Sequence, residues 1–205
     1  MAIQLTGNSG TVADTDANRN FYNRRAAATA WATGGMFTVG GGPSGVVAAA
    51  LAASTTLMSM RHGAAATTKV YISRLKFSIN AATVGASAGV PGQIAWQRFT
   101  TATPSGGTAR TPARKDASTG AATQVADVRD NNAALTVTSV VFTDLFVFHP
   151  IPNYTVGASN EYVTDLDEDE YIVLAAGDGI CLRTQVAAPA TMTWTFTYGV
   201  HWHEV

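Results

Sequence analysis

The chain ends TWTFTYGVHWHEV, and the pair His201-x-His203 is the first place where residue type and spacing could do chemistry. Alternate residues of a strand share a face and stand about 7 Å apart. Imidazoles placed in this way can chelate a metal ion if other strands add ligands. His62, His149 and Glu204 are the residues that could be added. The same alternation argues the other way. It gathers Trp194, Phe196, Tyr198, Val200 and Trp202 on one face, and Thr193, Thr195, Thr197, His201 and His203 on the other. Five large apolar side chains demand burial, so the histidines belong to the polar face and Glu204 points away from them. The expectation is a polar strand edge with no cofactor.

Three shorter patterns invite similar tests. GASAG at residues 85–89 fits the G-x-S-x-G nucleophile elbow, with Ser87 as nucleophile. That elbow works where a strand turns sharply into a helix of an α/β sheet, and no strand–helix alternation surrounds it. DLDEDE places Asp165, Asp167 and Asp169 at the first three ligand positions of a calcium loop, but Glu170 stands where glycine is needed and Ala176 where glutamate is needed. A solvated turn leading into Tyr171 is expected there. GGGPSG lacks the lysine of a phosphate loop. None of the patterns assembles a catalytic constellation, and the chain is not expected to be an enzyme.

Basic residues fall in two groups, Arg19, Arg24 and Arg25, and Arg110, Arg114 and Lys115. Each group could meet an acidic protein surface. Three charges apiece do not support strong nucleic-acid binding, and a net charge of −1 gives no general pull toward nucleic acid or an anionic membrane. Of 205 residues only 13% are charged, against about 25% in ordinary soluble domains. A surface so poor in charge suits a protein that hides much of itself in an assembly. Cys181 is the single cysteine, which excludes an intrachain disulfide and a thiolate cluster. MAIQLTGNSG has neither a basic start nor an apolar h-region, so no signal peptide is expected. The longest apolar run, residues 46–53, is far short of a membrane span.

The elements that must position these residues are strands. With 36 Ala, 28 Thr and 19 Gly, the composition favours strands and turns over solvated helices. Residues 1–45 read as an extended N-terminal arm, polar and glycine-rich, with a short helix expected over NFYNRRAAATAW and N-capped near Asp14 or Asp16. Residues 46–205 read as one sandwich domain. TTLMSM alternates as a strand, and KVYISRLKFSIN puts Tyr71, Leu75, Phe77 and Ile79 on one face against Arg74, Lys76 and Ser78. QIAWQRFTTAT is a further strand, followed by a long loop, SGGTARTPARKDASTGAAT. ALTVTSVVFTDLFVFH is apolar on both faces from Val140 to Phe148, as a strand buried between layers or against a neighbour would be. YIVLAAGDGICLRTQV reads as strand, turn, strand. Short strands with Gly/Pro turns and almost no helical period predict an all-β, jelly-roll-like antiparallel β-sandwich.

The order of these segments carries a resemblance. An SGGT loop follows the second clear strand, and LAAGDG-x-x-LRTQ-x-x-x-PAT then leads to a terminal aromatic strand. Over residues 45–205 this resembles the β-sandwich structural proteins of tailed bacteriophages. The resemblance implies a non-enzymatic role on the virion, made in the host cytoplasm, as a cement or decoration protein bound to the major capsid protein or another virion protein. It also implies a homotrimer. It brings no catalytic residues, and it leaves out the arm. Within the arm, Phe21, Tyr22 and Trp31 are the expected apolar anchors on a partner, steered by Arg19, Arg24 and Arg25. Two other functions stay open. One is a receptor- or carbohydrate-binding module of a phage fibre or tail, using Trp31, Trp96 and Tyr154. The other is a small β-barrel metalloprotein built on His201 and His203.

Overall fold

Apolar residues at every second position build strands that pair into two sheets, and among the described residues there is no helix. The structure is a computed structural model. It describes residues 14–15, 21–22, 35–42, 52–83, 93–115, 122–130, 135–138, 141–148, 159–167, 169–187 and 193–205. The strands are β1 (Asp14–Thr15), β2 (Phe21–Tyr22), β3 (Met36–Gly41), β4 (Thr56–His62), β5 (Val70–Thr83), β6 (Ile94–Phe99) and β7 (Thr108–Ala109). They continue as β8 (Ala113–Arg114), β9 (Val125–Asp130), β10 (Phe142–Phe148), β11 (Ser159–Asp165), β12 (Ile172–Leu174), β13 (Gly179–Thr184) and β14 (Thr193–Glu204).

One sheet runs β10-β6-β13-β4-β9-β7 and the other β11-β5-β14-β3-β8, with β12 also paired to β5. All pairings are antiparallel. Consider β3, β4, β5, β6, β10, β11, β13 and β14 in chain order. The sixth, third, eighth and first make up one sheet, and the fifth, fourth, seventh and second the other. That is the double Greek-key order of a jelly roll. The expected fold class is therefore present, down to its topology.

The two sheets bury their facing sides against each other. Met58, Met60, Trp96, Ile180 and Leu182 from the first sheet meet Phe37, Leu75, Phe77, Phe196 and Trp202 from the second. The aromatic ladder of β14 lies inward as its alternation requires, with Trp194, Phe196, Tyr198, Val200 and Trp202 all buried. The first sheet is also covered outside. Phe99, Ala102, Val137 and Cys181 form a second cluster under Phe142, closed by backbone bonds between Ser105 and Thr136. Gly179 lies at the centre of this packing. A Cβ there would run into the Phe99 ring and the Met60 carbonyl.

Several expectations change in detail. The stretch assigned to the arm gives up residues 36–41 to β3, because Phe37 and Val39 alternate inward beside the β14 ladder. The sandwich thus begins before residue 45. Where a short helix was expected, Asp14–Thr15 pairs instead with Phe21–Tyr22; the rest of that helix lies outside the described residues. Tyr71 was expected on the buried face with Leu75. A register shift in the β5–β14 pairing, between His201 and Trp202, breaks the alternation, so Ile72 turns inward and Tyr71 outward against His203. The loop after β6 contributes β7 and β8. The strand expected to be buried between layers or against a neighbour, β10, is not between layers: it is an edge strand of its sheet. Its pairing with β6 shifts between Asp144 and Phe146, and this bulge lets apolar residues alternate out of phase, with Val147 left 45% exposed.

Candidate functional site

The His201/His203 face was the first chemical candidate, and the structure gives its two imidazoles separate surroundings. His201 sits on the outer face, opposite Arg74 of β5 and Thr38 of β3. Its Nδ1 lies 3.0 Å from the Lys115 ammonium. An ammonium can only donate, so Nδ1 accepts. Burial lowers the His201 pKa, and the charges of Lys115, Arg74 and Lys76 lower it further, against a smaller pull from Asp165. His203 is only 7% exposed. Its ring stacks on Tyr71 at 5.1 Å between centroids and meets the edge of Tyr171 at 5.1 Å, and burial lowers its pKa as well. Its neighbours are aromatic, so it is a packed ring and not the surface residue its face assignment implied.

The added ligands are engaged elsewhere. His62 is buried at the end of β4 in the opposite sheet, with Nε2 2.8 Å from the Thr68 carbonyl. Glu204 does face away from the histidines. Its buried carboxylate accepts from the Gln124 backbone N–H (2.9 Å), Trp202 Nε1 (3.2 Å), the Thr68 hydroxyl (3.4 Å) and the Thr123 hydroxyl. His149 lies outside the described residues. Among the described residues no three His, Cys, Asp or Glu side chains gather as metal ligands. In the acidic stretch, Asp165 pairs with Arg74, and the Glu170 N–H closes a turn onto the Asp167 carbonyl.

The basic group Arg110, Arg114 and Lys115 lines the β8 side of the sandwich, and each member makes contacts within the chain. Arg110 Nε donates to Asp130 Oδ2 at 2.6 Å, and its Nη2 to the Gly42 carbonyl at 2.8 Å. Asp130 is fully buried beside the Tyr198 hydroxyl. Arg114 lies over the Phe37 ring, 5.3 Å from its centroid. Lys115 anchors its backbone on the Met36 carbonyl and its ammonium on His201. Arg19, Arg24, Arg25 and Trp31 lie outside the described residues, as do Ser87 and Tyr154. Phe21 and Tyr22 lie in β2. Trp96, a candidate for sugar stacking, is fully buried in the core.

The opposite flank has another character. There β10 ends one sheet and β11 the other, bridged by Phe148 against Tyr162 at 5.2 Å. Among the described residues, four large hydrophobic side chains are strongly exposed, and three belong to this flank: Val141 (81%), Val147 and Val163 (45% each). Among the described residues β10 and β11 pair with no further strand on their outer sides, and exposed apolar side chains on such edge strands mark a surface suited to adhesion. The composition gave only a general lean toward assembly; which edge stays open depends on strand order, which no local pattern states. No protein family, curated protein or solved structure matches this chain.

Proposed function

We propose that the chain is a non-enzymatic structural protein of a tailed-bacteriophage virion, a cement or decoration subunit that acts by adhesion as a homotrimer. The observation that carries this is the β10–β11 flank, where among the described residues both sheets end and Val141, Val147 and Val163 are exposed. Burying such a flank against copies of the chain is the usual role of closed symmetric assembly. The engagement of His201, His203 and Glu204 in packing and internal hydrogen bonds supports a structural role for the residues that chemistry would have used. The segment before β3 reaches the partner virion protein, with Phe21, Tyr22 and Trp31 as anchors.

Electron microscopy of particles carrying a label against this chain tests the location. Regular labelling of virions is expected; particles free of label, with the chain left in the soluble fraction, would refute it. Deleting residues 1–34 tests the arm. The cut spares Gly35, whose carbonyl accepts the Glu204 N–H at 3.2 Å. The shortened chain should stay folded and oligomeric yet fail to attach to particles. Normal attachment would rule the arm out.

A further inference from the structure

A cavity of about 290 Å³ opens beside the strand β13, lined by Ser54, Thr55, Thr56, Leu135, Thr136, Val137 and Arg183. Arg183 is its one charged wall. Arg74, Arg98, Arg110 and Arg129 each pair with an aspartate. Among the described residues no carboxylate lies within ion-pair distance of Arg183. The nearest link runs through a neutral amide: Arg183 Nη1 donates to Gln97 Oε1 at 3.3 Å, and Gln97 Nε2 donates to Asp144 Oδ1 at 2.6 Å.

The guanidinium is nonetheless held in place. It lies 3.7 Å above the centroid of the Phe142 ring, a cation–π contact that fixes its plane. Nε and Nη2 both donate to the Ser54 carbonyl, at 3.2 and 2.7 Å. Ser54 has a φ of +65°, an uncommon conformation for a residue with a side chain, and such strain gathers at binding sites. Three of the five guanidinium hydrogens are thus engaged by Ser54 and Gln97, and among the described residues the other two have no acceptor and are available to a ligand. Burial lowers the pKa of the group, as expected of a partly desolvated cation with no carboxylate beside it among the described residues.

We propose that this cavity is a carboxylate-binding site, with Arg183 as the charged anchor, a Ser/Thr rim, and Leu135 and Val137 as apolar walls. A fixed guanidinium is suited to a planar carboxylate, and the volume lies at the lower bound of about 300–1,000 Å³ for ligand pockets. The ligand is therefore small: a free short-chain acid or the acidic side chain of another protein. This site is independent of the proposed role on the virion.

Calorimetric titration of the full chain tests it, with malonate as the free acid and a capped Gly-Asp-Gly peptide as the side-chain mimic. Malonamide and sodium chloride at matched ionic strength are the controls. Saturable binding of malonate or peptide with a Kd near 1 mM (about −4 kcal/mol) is expected, with no response to the controls. The tighter of the two names the source. Arg183→Gln should weaken binding at least tenfold. Because Arg183 also holds Ser54, Thr136→Trp is the second variant; it fills the mouth and keeps the Thr136 backbone bonds to Ser105, and it too should weaken binding tenfold. No saturable binding of either acid, an equal response to malonamide, or unchanged affinity in Thr136→Trp would overturn the proposal.

Discussion

Replacing Trp202 with alanine would empty a place where three parts of the fold meet. The indole is fully buried, packs against Phe37 of β3 at 5.8 Å between centroids, and donates Nε1–H to Glu204 Oε1 at 3.2 Å. Truncating a buried tryptophan costs about 3–5 kcal/mol. Glu204 keeps its Thr123, Gln124 and Thr68 donors, so the lost hydrogen bond adds little and the cavity dominates. At 2–4 °C per kcal/mol for a chain of this size, Tm should fall by about 6–20 °C. Circular dichroism is the assay, because the substitution removes a fluorophore. The paired control is His201→Thr, whose side chain is partly open and whose cost should stay within about 0.5 kcal/mol. His203→Thr should fall between them, at about 1–3 kcal/mol, since two aromatic contacts are lost at about 0.5–1.5 kcal/mol each. A Trp202→Ala protein less perturbed than His201→Thr would refute the assignment of faces on β14.

Arg110→Ala should cost about 3 kcal/mol, the lower end for a broken buried pair, because Asp130 is 0% exposed but Arg110 is 31% exposed; a cost under 1 kcal/mol in urea denaturation would contradict its role in the fold. Stability should fall as pH drops. Burial depresses the pKa of His203, and burial with nearby cations depresses that of His201. The unfolded chain therefore takes up protons near pH 6.5 while the native one resists, and the urea midpoint should be flat above about pH 7 and lower at pH 5.5. A midpoint that rises toward acid would contradict this. Cys181 is buried and its thiol pKa is pushed up to about 12, so a thiol reagent should label it only as fast as the chain unfolds; rapid labelling of native protein would place it at the surface.

Much of this fold is legible in residue alternation. The β14 ladder, the turn at Ala175–Gly179 and strands β4, β5, β6 and β13 follow from local pattern and turn chemistry. The turn even shows its reason, with Gly177 at a φ of +84° and the Asp178 N–H closing onto the Ala175 carbonyl. What local pattern misses arises where pairing overrides period. Bulges turn Tyr71 outward and mix the faces of β10, and a bulge is a property of two strands in register, not of one. The fate of polar residues is also non-local. His203 lies on the predicted face yet is buried, because Tyr71 and Tyr171 come from other segments to cover it. Arg110 looks like a loop cation until β9 brings Asp130 beneath it. Arg183 alternates like any outward strand residue, and only the folding of residues 135–137 and 52–56 around it makes a cavity.

Adhesion through the β10–β11 flank is the claim on which the functional account depends. Light scattering of the purified chain at micromolar concentration, beside a Val147→Lys/Val163→Lys variant, tests it most directly. A mass about three times 21.3 kDa for the native chain, falling toward the single-chain mass when lysines are placed on the flank, is the expected result, because obligate assemblies persist at such concentrations. A stable 21.3 kDa monomer, or an oligomer unaffected by the two lysines, would contradict it.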